Sequence, residues 1–411
     1  MLGTIIQPGV PRVQDFSKRT NIRFLLLSSC LVFQSALVSV VNYKYQPRPD
    51  SNVGGNSRKI TIKLNIMENQ NHPSPAAIMQ IGTGFWASKI LLSAIKFQLF
   101  TKLAEQKKMS GKDIKTSLGL NCTDRHCYDF LDALTGFGFL NRKGLLERAL
   151  YSNSPDTDTF LDKNKPSYIG GILEMMNNRL YRFWGDLEEG LITGLPQNEV
   201  KSGKDFFGLI YQDPRKLREF INAMSGIQMG NFMTFAQKFD FSKYKTLTDI
   251  GGSAGLLSLM VAKHQPHMTC TTVDLPPVES IASETIQKFQ LSDRVKTQSG
   301  DFFVEPFPKA DMVTMGNILH DWDEKNKIML MKKAYEALPP GGAFVAIESI
   351  IDDERKQNVF GMMMSLNMLI ESGTGFDYTF ADFNKWAKIA GFKSTALLEL
   401  TGPSSAAIAY K

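Results

Sequence analysis

One histidine follows an apolar run of the kind that forms buried strands. His320 comes directly after ADMVTMGNIL (residues 310–319), so we expect its imidazole at the carboxyl edge of a sheet. An imidazole, whose ordinary pKa lies near neutrality, is suited to take a proton from a hydroxyl or a phenol. Glu348 ends a later apolar run, and Asp377 lies in the loop GTGFDYTFADF. These two carboxylates could orient the ring and stabilise the imidazolium.

Two plainer interpretations of this segment stay open. His320 can be a packed structural histidine that performs no chemistry. The following triplet Asp321-Trp322-Asp323 can be the N-cap of the helix predicted over EKNKIMLMKKAYEAL (residues 324–338).

A glycine-rich turn and three acidic residues indicate a cofactor site. The turn Asp249-Ile-Gly251-Gly252-Ser-Ala-Gly255 follows one apolar run, and glycines there let the backbone approach a ligand closely. Asp274 ends the next run, where a carboxylate can hold both ribose hydroxyls. Asp301 and Phe302 end the third apolar run, where a carboxylate and an aromatic ring could bracket an adenine. The site is predicted to bind an adenosine-containing cofactor; the turn lacks the full nicotinamide-type glycine pattern, and Asp249 could alternatively cap it.

The elements that position these residues belong to an α/β fold. Apolar, β-rich runs alternate with helical stretches of ten or more residues, which predicts a parallel, doubly wound sheet. The predicted strands lie in TLTDIGG (246–252), MTCTTVDL (268–275), VKTQSGDFF (295–303), ADMVTMGNIL (310–319) and GGAFVAIESII (341–351).

The preceding half, residues 76–240, has a helical pattern. ASKILLSAIKFQLFTKLAEQ (87–106) predicts one amphipathic helix, and Ser110 and Thr123 are predicted to cap the next two. A short hairpin over FLNRKGLLERALYSNS (139–154) would complete a winged helix. Its third helix carries three aspartates against Arg125, which repels phosphate, so we expect a dimerisation module and no nucleic-acid partner. Pro214, after Asp213, is predicted to begin a long helix.

The net charge of +6 comes from the N-terminal leader, residues 1–66. Nine Lys or Arg and two Asp give the leader +7, which leaves −1 for residues 67–411 and no basic groove for nucleic acid. Residues 24–41 are uncharged and follow a basic stretch, as in a signal peptide, membrane anchor or organelle transit segment. The alternative is a start at Met67, with a cytoplasmic protein and a functionless extension. Beyond residue 67 we expect no membrane-spanning stretch and no stable membrane partner.

The four cysteines exclude a disulfide scaffold, because their spacing is irregular. Cys122, His126 and Cys127 lie close in sequence but lack a distant ligand pair, so no metal site is predicted.

Several motifs occur together in one order: DIGGSAG, Asp274, GDFF, ILHDWD, LPPGG and FADFNKWAKIAGF. This set resembles the O-methyltransferases of the plant caffeate and hydroxyindole type, including their bacterial members, over residues 76–411. The resemblance implies a winged-helix dimerisation domain, a Rossmann-like domain that binds S-adenosylmethionine, and a homodimer. It further implies cofactor contacts at Gly251, Gly252, Asp274, Asp301 and Phe302. His320 matches the general base, flanked by Glu348 and Asp377.

Two positions depart from that family pattern. Gly316 stands where the plant enzymes commonly carry lysine, and Asp377 replaces the usual glutamate. The resemblance implies an apolar pocket for a small-molecule acceptor lined by Tyr181, Trp184, Met229, Met364 and Asn367. It also implies that Phe85 and Trp86 of one subunit reach the site of its partner.

The sequence therefore predicts methyl transfer to a hydroxyl of a small molecule, with His320 as base. One alternative is an S-methyltransferase acting on a methylthio-hydroxyacid of the dimethylsulfoniopropionate pathway, in which His320 only positions substrate. Another is a non-catalytic ligand-binding regulator. The predicted domains are the leader (1–66), the dimerisation domain (76–165), a helical linker and acceptor-pocket region (166–240) and the methyltransferase domain (241–411).

Overall fold

A computed structural model describes residues 73–165, 167–202 and 211–411. The predicted leader, residues 1–66, lies outside the described residues. The chain divides between Ile90 and Leu91 into two compact units. The described part of the first contains α1 (Ala76–Gly82) and the beginning of α2 (Gly84–Lys96), and it exposes the large apolar side chains of Ile78, Ile81, Phe85 and Trp86.

One helical stretch in the described residues, Ala76–Lys96, is long and apolar enough to cross a membrane by length and composition. This helix alone does not contradict the expectation that residues beyond 67 hold no membrane-spanning stretch. The finding is weak evidence for a span, because core helices and signal sequences meet the same criterion.

The predicted helix over residues 87–106 is broken in the structure. α2 ends at Lys96, Gln98 has a left-handed φ of 57°, and α3 begins at Leu99 (Leu99–Gln106). The break turns Leu99, Phe100 and Leu103 into the core. A periodic pattern does not reveal such a break, because both helices keep their apolar faces buried.

The rest of this region is a winged helix. α4 (Gly111–Ser117) and α5 (Asp124–Gly136) begin at Ser110 and Thr123, which accept backbone hydrogen bonds as predicted. Strands β1 (Met109–Ser110), β2 (Leu140–Lys143) and β3 (Leu150–Asn153) form an antiparallel sheet in the order β1-β3-β2. The aspartates of α5 form ion pairs: Lys115–Asp124, Arg125–Asp129 and Arg142–Asp132.

A helical segment leads to the second sheet. It comprises α6 (Pro155–Phe160), α7 (Gly170–Met175), a π-helical turn (Met176–Leu180), α8 (Tyr181–Phe183), a 3-10 turn (Trp184–Asp186), α9 (Leu187–Thr193), a 3-10 turn (Glu199–Ser202) and α10 (Pro214–Lys238). Asp213 caps α10 by accepting from the backbone N–H of Arg215 at 2.9 Å, and Pro214 occupies the first turn as predicted.

Seven strands of residues 241–411 form the sheet that carries the site. They are β4 (Thr246–Ile250), β5 (Thr269–Asp274), β6 (Val295–Ser299), β7 (Met312–Gly316), β8 (Ala343–Glu348), β9 (Ser394–Glu399) and β10 (Ser405–Tyr410). Their order is β6-β5-β4-β7-β8-β10-β9, and β4 to β8 run parallel as predicted. β10 pairs antiparallel with both β8 and β9; the sequence analysis did not predict the two strands β9 and β10. The strand order reverses between β4 and β7, where doubly wound folds bind ligands.

Helices cover both faces of this sheet. The helices of this region are α11 (Leu256–His264), α12 (Glu279–Lys288), α13 (Glu324–Ala337), α14 (Val359–Glu371) and α15 (Phe380–Ala390). Alternate residues of β8 enter opposite layers: Val345 and Ile347 share a cluster with residues of α10 and α11, whereas Phe344 and Ala346 share one with residues of α13 and α15. All six residues of β8 are buried, so the strand that presents Glu348 is held rigidly from both sides.

Candidate active site

The turn after β4 has room for glycine alone at two successive positions. Gly251 has φ of 67°, and a Cβ there would lie 2.4 Å from Ile318 Cδ1. A Cβ on Gly252 would lie 2.1 Å from Thr272 Oγ1. Backbone and neighbouring side chains therefore pack closely around this turn, at the switch point of the sheet.

Asp249 ties the turn to the neighbouring strand. Its buried carboxylate accepts a hydrogen bond from the hydroxyl of Thr314 on β7 at 2.8 Å. Burial raises the pKa of Asp249 to about 7, although the bond from Thr314 opposes that rise. The side chain thus links β4 and β7.

Asp274 lies at the end of β5 with both carboxylate oxygens oriented. The backbone N–H groups of Ser253 and Leu275 donate to it at 2.8 Å each, and the Tyr211 hydroxyl donates at 3.4 Å. Burial raises the pKa of Asp274, and these hydrogen bonds lower it. The sequence reasoning missed Tyr211, which lies 63 residues away in the chain and carries no local signal.

The cleft beside Asp274 holds unpaired polar atoms. The hydroxyls of Ser253 and Thr272 are buried and have no hydrogen-bond partner among the described residues. Both residues line the same small cleft as Asp274. Buried hydroxyls normally find partners, so this donor and acceptor set fits a polar ligand such as a ribose.

Asp301 and Phe302 lie in the loop after β6. The Asp301 carboxylate accepts from the backbone N–H of Phe303 at 2.8 Å and so shapes this loop. The Phe302 ring lies beside the glycine turn, with Cε1 3.8 Å from the position a Cβ on Gly251 would take. Its backbone carbonyl accepts from Lys333 Nζ at 2.5 Å. The structure thus brings Phe302 to the glycine turn.

His320 is buried in a 3-10 turn, Leu319–Asp321, that follows β7. Its Nδ1 lies 3.4 Å from Asp377 Oδ2, and its Nε2 lies 3.5 Å from Asp321 Oδ1. Both ring nitrogens therefore face carboxylates. The sequence reasoning treated Asp321 as part of a helix cap, but the N-cap of α13 is Asp323, which accepts from the Asn326 backbone at 2.8 Å.

The carboxylates control the ionisation of His320. Burial alone would lower its pKa, but Asp377, Asp321 and Glu348 together raise it to about 10. Burial raises the pKa of Asp321 to about 6, and His320 opposes that rise. These carboxylates therefore favour the charged form of the imidazole.

Glu348 contacts the turn that carries the histidine. Its Oε1 accepts from the backbone N–H groups of Ile318 at 3.1 Å and His320 at 3.2 Å. Burial raises the pKa of Glu348, and His320 opposes that rise. Its hydrogen bonds therefore hold the backbone of the turn, and its charge is one of those that favour the imidazolium.

The structure brings together some of the residues that were predicted to line the acceptor pocket. Trp184 Nε1 donates to Asn367 Oδ1 at 2.9 Å, and Asn367 Nδ2 lies 3.9 Å from Met364 Sδ. Met229 packs against the cluster between α10 and the sheet. Tyr181 lies one turn before Trp184 and is partly buried.

The packing of Gly316 accounts for the missing lysine at this position. A Cβ there would lie 2.8 Å from Cζ of Phe232, so the ring fills the space that a side chain would need.

Among the described residues, no group of three or more His, Cys, Asp or Glu is placed so that it could hold a metal ion.

Comparison with known proteins supplies the family. The O-methyltransferase domain family matches residues 184–393, and the O-methyltransferase dimerisation domain family matches residues 79–163. The tetracenomycin polyketide synthesis 8-O-methyl transferase of Streptomyces glaucescens is 35% identical over 337 residues, 82% of this chain and 97% of that protein. The acetylserotonin O-methyltransferase of Gallus gallus is 29% identical, over 78% of this chain and 92% of that one.

Solved structures agree on the fold. The crystal structure of human N-acetylserotonin methyltransferase in complex with SAM superposes with a TM-score of 0.76 at 24% identity, over 84% of this chain and 99% of that one. The alternative of an S-methyltransferase draws no support from these relatives. This chain belongs to the O-methyltransferase family and is an S-adenosylmethionine-dependent methyltransferase of small-molecule hydroxyls.

Proposed function

We propose that the chain methylates an aromatic hydroxyl of a small molecule, with His320 as the general base. The observation that carries the proposal is the buried imidazole held between Asp321 and Asp377 at the switch point of the sheet. A relative at 35% identity is a polyketide O-methyl transferase, and another, 28% identical, is a 3-hydroxy-5-methyl-1-naphthoate 3-O-methyltransferase of Streptomyces sahachiroi. Fused aromatic phenols are therefore the acceptor class to test first.

The cofactor site that we propose comprises Asp249, Gly251, Gly252, Asp274, Asp301 and Phe302. When bound, S-adenosylmethionine supplies an electrophilic methyl group on a positively charged sulfur. Asp274, held by the Ser253 and Leu275 amides, presents acceptor oxygens for ribose hydroxyls, and the glycine turn admits the ligand to the backbone. Phe302 offers an aromatic face beside that turn.

His320 holds and moves the acceptor proton. Asp377 on Nδ1 stabilises the charged ring after it accepts a proton, and Glu348 keeps the turn in place. Because the pKa of His320 is about 10, only a minor fraction is neutral at pH 7 in the chain alone. Turnover is expected to rise between pH 7 and 9.5 as that fraction grows.

The acceptor pocket that we propose is apolar and lined by Tyr181, Trp184, Met229, Met364 and Asn367. The Trp184–Asn367 hydrogen bond joins the helical segment to α14, so the two walls of this pocket are held in register. The methionines can adapt to a flat polycyclic guest.

We propose the predicted domain boundaries for this architecture, and a homodimer built through residues 76–165. The dimerisation-domain match and the exposed apolar side chains of residues 76–90 support the homodimer. The proposed reach of Phe85 and Trp86 into the partner's site rests on the family resemblance.

The test is methyl transfer from labelled S-adenosylmethionine to two acceptor panels. One contains mono- to tetracyclic phenols, and the other contains methylthio-hydroxyacids. Label on a phenol, lost when that phenol is replaced by its O-methyl ether, supports the proposal. Label on a methylthio-acid, or on phenols and their ethers alike, overturns it.

A further inference from the structure

A lysine is completely buried beside the carboxylates of the site. Lys327, in the first turn of α13, has 0% relative exposure. Its ammonium donates to the backbone carbonyl of Trp322, next to Asp321. A buried ammonium is costly unless it is paired, so this position calls for an explanation.

Three aromatic rings surround the same ammonium. Lys327 Nζ lies 3.5 Å from the ring centre of Phe376, and 5.8 Å from those of Tyr378 and Trp386. Phe376 and Tyr378 flank Asp377 in the chain. A cation within about 6 Å of such ring centres is attracted to them, most strongly where water is excluded. Lys327 therefore joins the His320–Trp322 turn to the loop that carries Asp377.

The surroundings of Lys327 are negatively charged. Glu348, Asp377, Asp321 and Asp323 all favour its charged form, although burial dominates and lowers its pKa to about 8. Glu324, at the start of α13, is instead held by Lys385 at 3.0 Å and by Trp386 Nε1 at 2.9 Å. Asp377 Oδ1 is buried and has no hydrogen-bond partner among the described residues, so a nearby cation is its available compensation.

We propose that Lys327 is a positioning residue: it clamps the His320 turn to the Asp377 loop and supplies the buried positive charge opposite the three carboxylates around His320. It touches no reacting atom. This inference rests on the proposed role of His320 as base. Removing the charge makes the cluster bind protons more tightly, so the neutral imidazole becomes scarcer at a given pH.

The decisive variant is Lys327→Met, which keeps the length of the side chain and removes its charge. At pH 7, where Lys327 carries its charge, the variant is expected to lower kcat roughly tenfold, because removing that charge raises the pKa of His320. The loss should shrink at pH 9.5, where the wild-type lysine is itself largely uncharged because its pKa is about 8. The dissociation constant for S-adenosylmethionine should stay within about twofold. Lys332→Met, which removes an exposed charge from the same helix, is the matched control.

A purely structural role predicts a loss that is constant with pH, and that result overturns the inference. If Lys327→Met does not fold, Lys327→Arg keeps the charge and should retain the wild-type slope of kcat against pH between pH 6.5 and 7.5, where the wild-type lysine is also charged, even with reduced turnover. A changed slope in that range overturns the inference. Titration of His320 by NMR, assigned with His320→Gln, separates the two proposals. Unchanged titration in Lys327→Met refutes the clamp, whereas an active His320→Gln enzyme refutes the base itself.

Discussion

At the scale of single residues, His320 is defined by what its two nitrogens face. Asp377 approaches one nitrogen and Asp321 the other, while Glu348 holds the backbone beneath. Such an arrangement stabilises an imidazolium, which is the product of proton abstraction. A histidine that only packs in a core would not require three buried carboxylates around it.

His320→Gln is therefore expected to reduce turnover on a phenol by about 10²–10⁴-fold, because no group remains to take the proton. Cofactor affinity, measured by calorimetry, should stay near that of the wild type. His267→Gln is the control, since His267 contacts the Phe241 carbonyl at the opposite end of β5. Turnover within threefold of the wild type would remove His320 from the chemistry.

The candidate site residues could be named from the sequence, but their ionisation could not be predicted from it. His320 stood out because it follows an apolar run, and the resemblance of its surroundings to a family motif implied its role. Its pKa depends on Asp321 and Asp377, and the distances to these carboxylates follow only from the fold. Lys327 gave no signal, because a lysine in a helical segment is normally exposed.

At the scale of elements, the turn between β4 and α11 is where sequence and packing agree best. The glycines were predicted because a ligand must approach the backbone. In the structure, a Cβ on Gly252 would also lie 2.1 Å from Thr272 Oγ1 and 2.8 Å from Asp249 Oδ2, so these two side chains leave no space for one. The turn is thus constrained by the sheet itself, independently of the ligand.

Gly252→Ala should lower the free energy of unfolding by about 1–3 kcal/mol, because the added methyl overlaps the Thr272 hydroxyl. Removing that oxygen in Gly252→Ala/Thr272→Ala should recover part of the loss, measured by urea unfolding. Gly136→Ala is the control, since a Cβ there meets nothing within 4 Å. A double variant no more stable than Gly252→Ala would show that another contact limits the position.

Whether a segment forms a helix or a strand was easier to predict than where a helix is interrupted or how the strands at the edge of the sheet pair. The alternating runs predicted the five parallel strands, because buried strands carry continuous apolar residues. The interruption at Gln98 was not predictable, since its left-handed backbone leaves the apolar period intact. The antiparallel pair β9 and β10 follows the last helix, and nothing in an apolar run states the direction of its pairing.

At the scale of the whole molecule, the buried site should make stability depend on pH. The pKa of His320 is about 10 in the folded chain against an ordinary value of 6.5. Between these values the folded state holds a proton that the unfolded state lacks. The stability that this proton contributes is complete below pH 6.5 and is lost as pH rises through 10.

The free energy of unfolding should therefore fall as pH rises from 6.5 to 8, by up to about 1.4 kcal/mol per pH unit from this group. Above pH 8 the folded chain has lost the proton of Lys327, which the unfolded chain still holds, so this group makes the free energy of unfolding rise with pH. The predicted fall is therefore confined to pH 6.5–8. Urea unfolding of the wild type and His320→Gln at four pH values measures the effect. Equal slopes in the two proteins would contradict the raised pKa.

Assembly is the last property that belongs to the whole molecule. Ile81, in α1, is 81% exposed, and four other large apolar side chains of residues 76–90 (Ile78, Met79, Phe85 and Trp86) are also exposed, which is unfavourable for an isolated chain. Ile81→Glu should weaken the proposed homodimer by tenfold or more, because a carboxylate would be buried at its contact surface. Ile192→Glu is the matched control, since Ile192 is equally exposed, at 81%, but lies outside the dimerisation-domain match. Sedimentation velocity should give a dimer for the wild type and Ile192→Glu and a monomer for Ile81→Glu; a dimeric Ile81→Glu would place the contact on another surface.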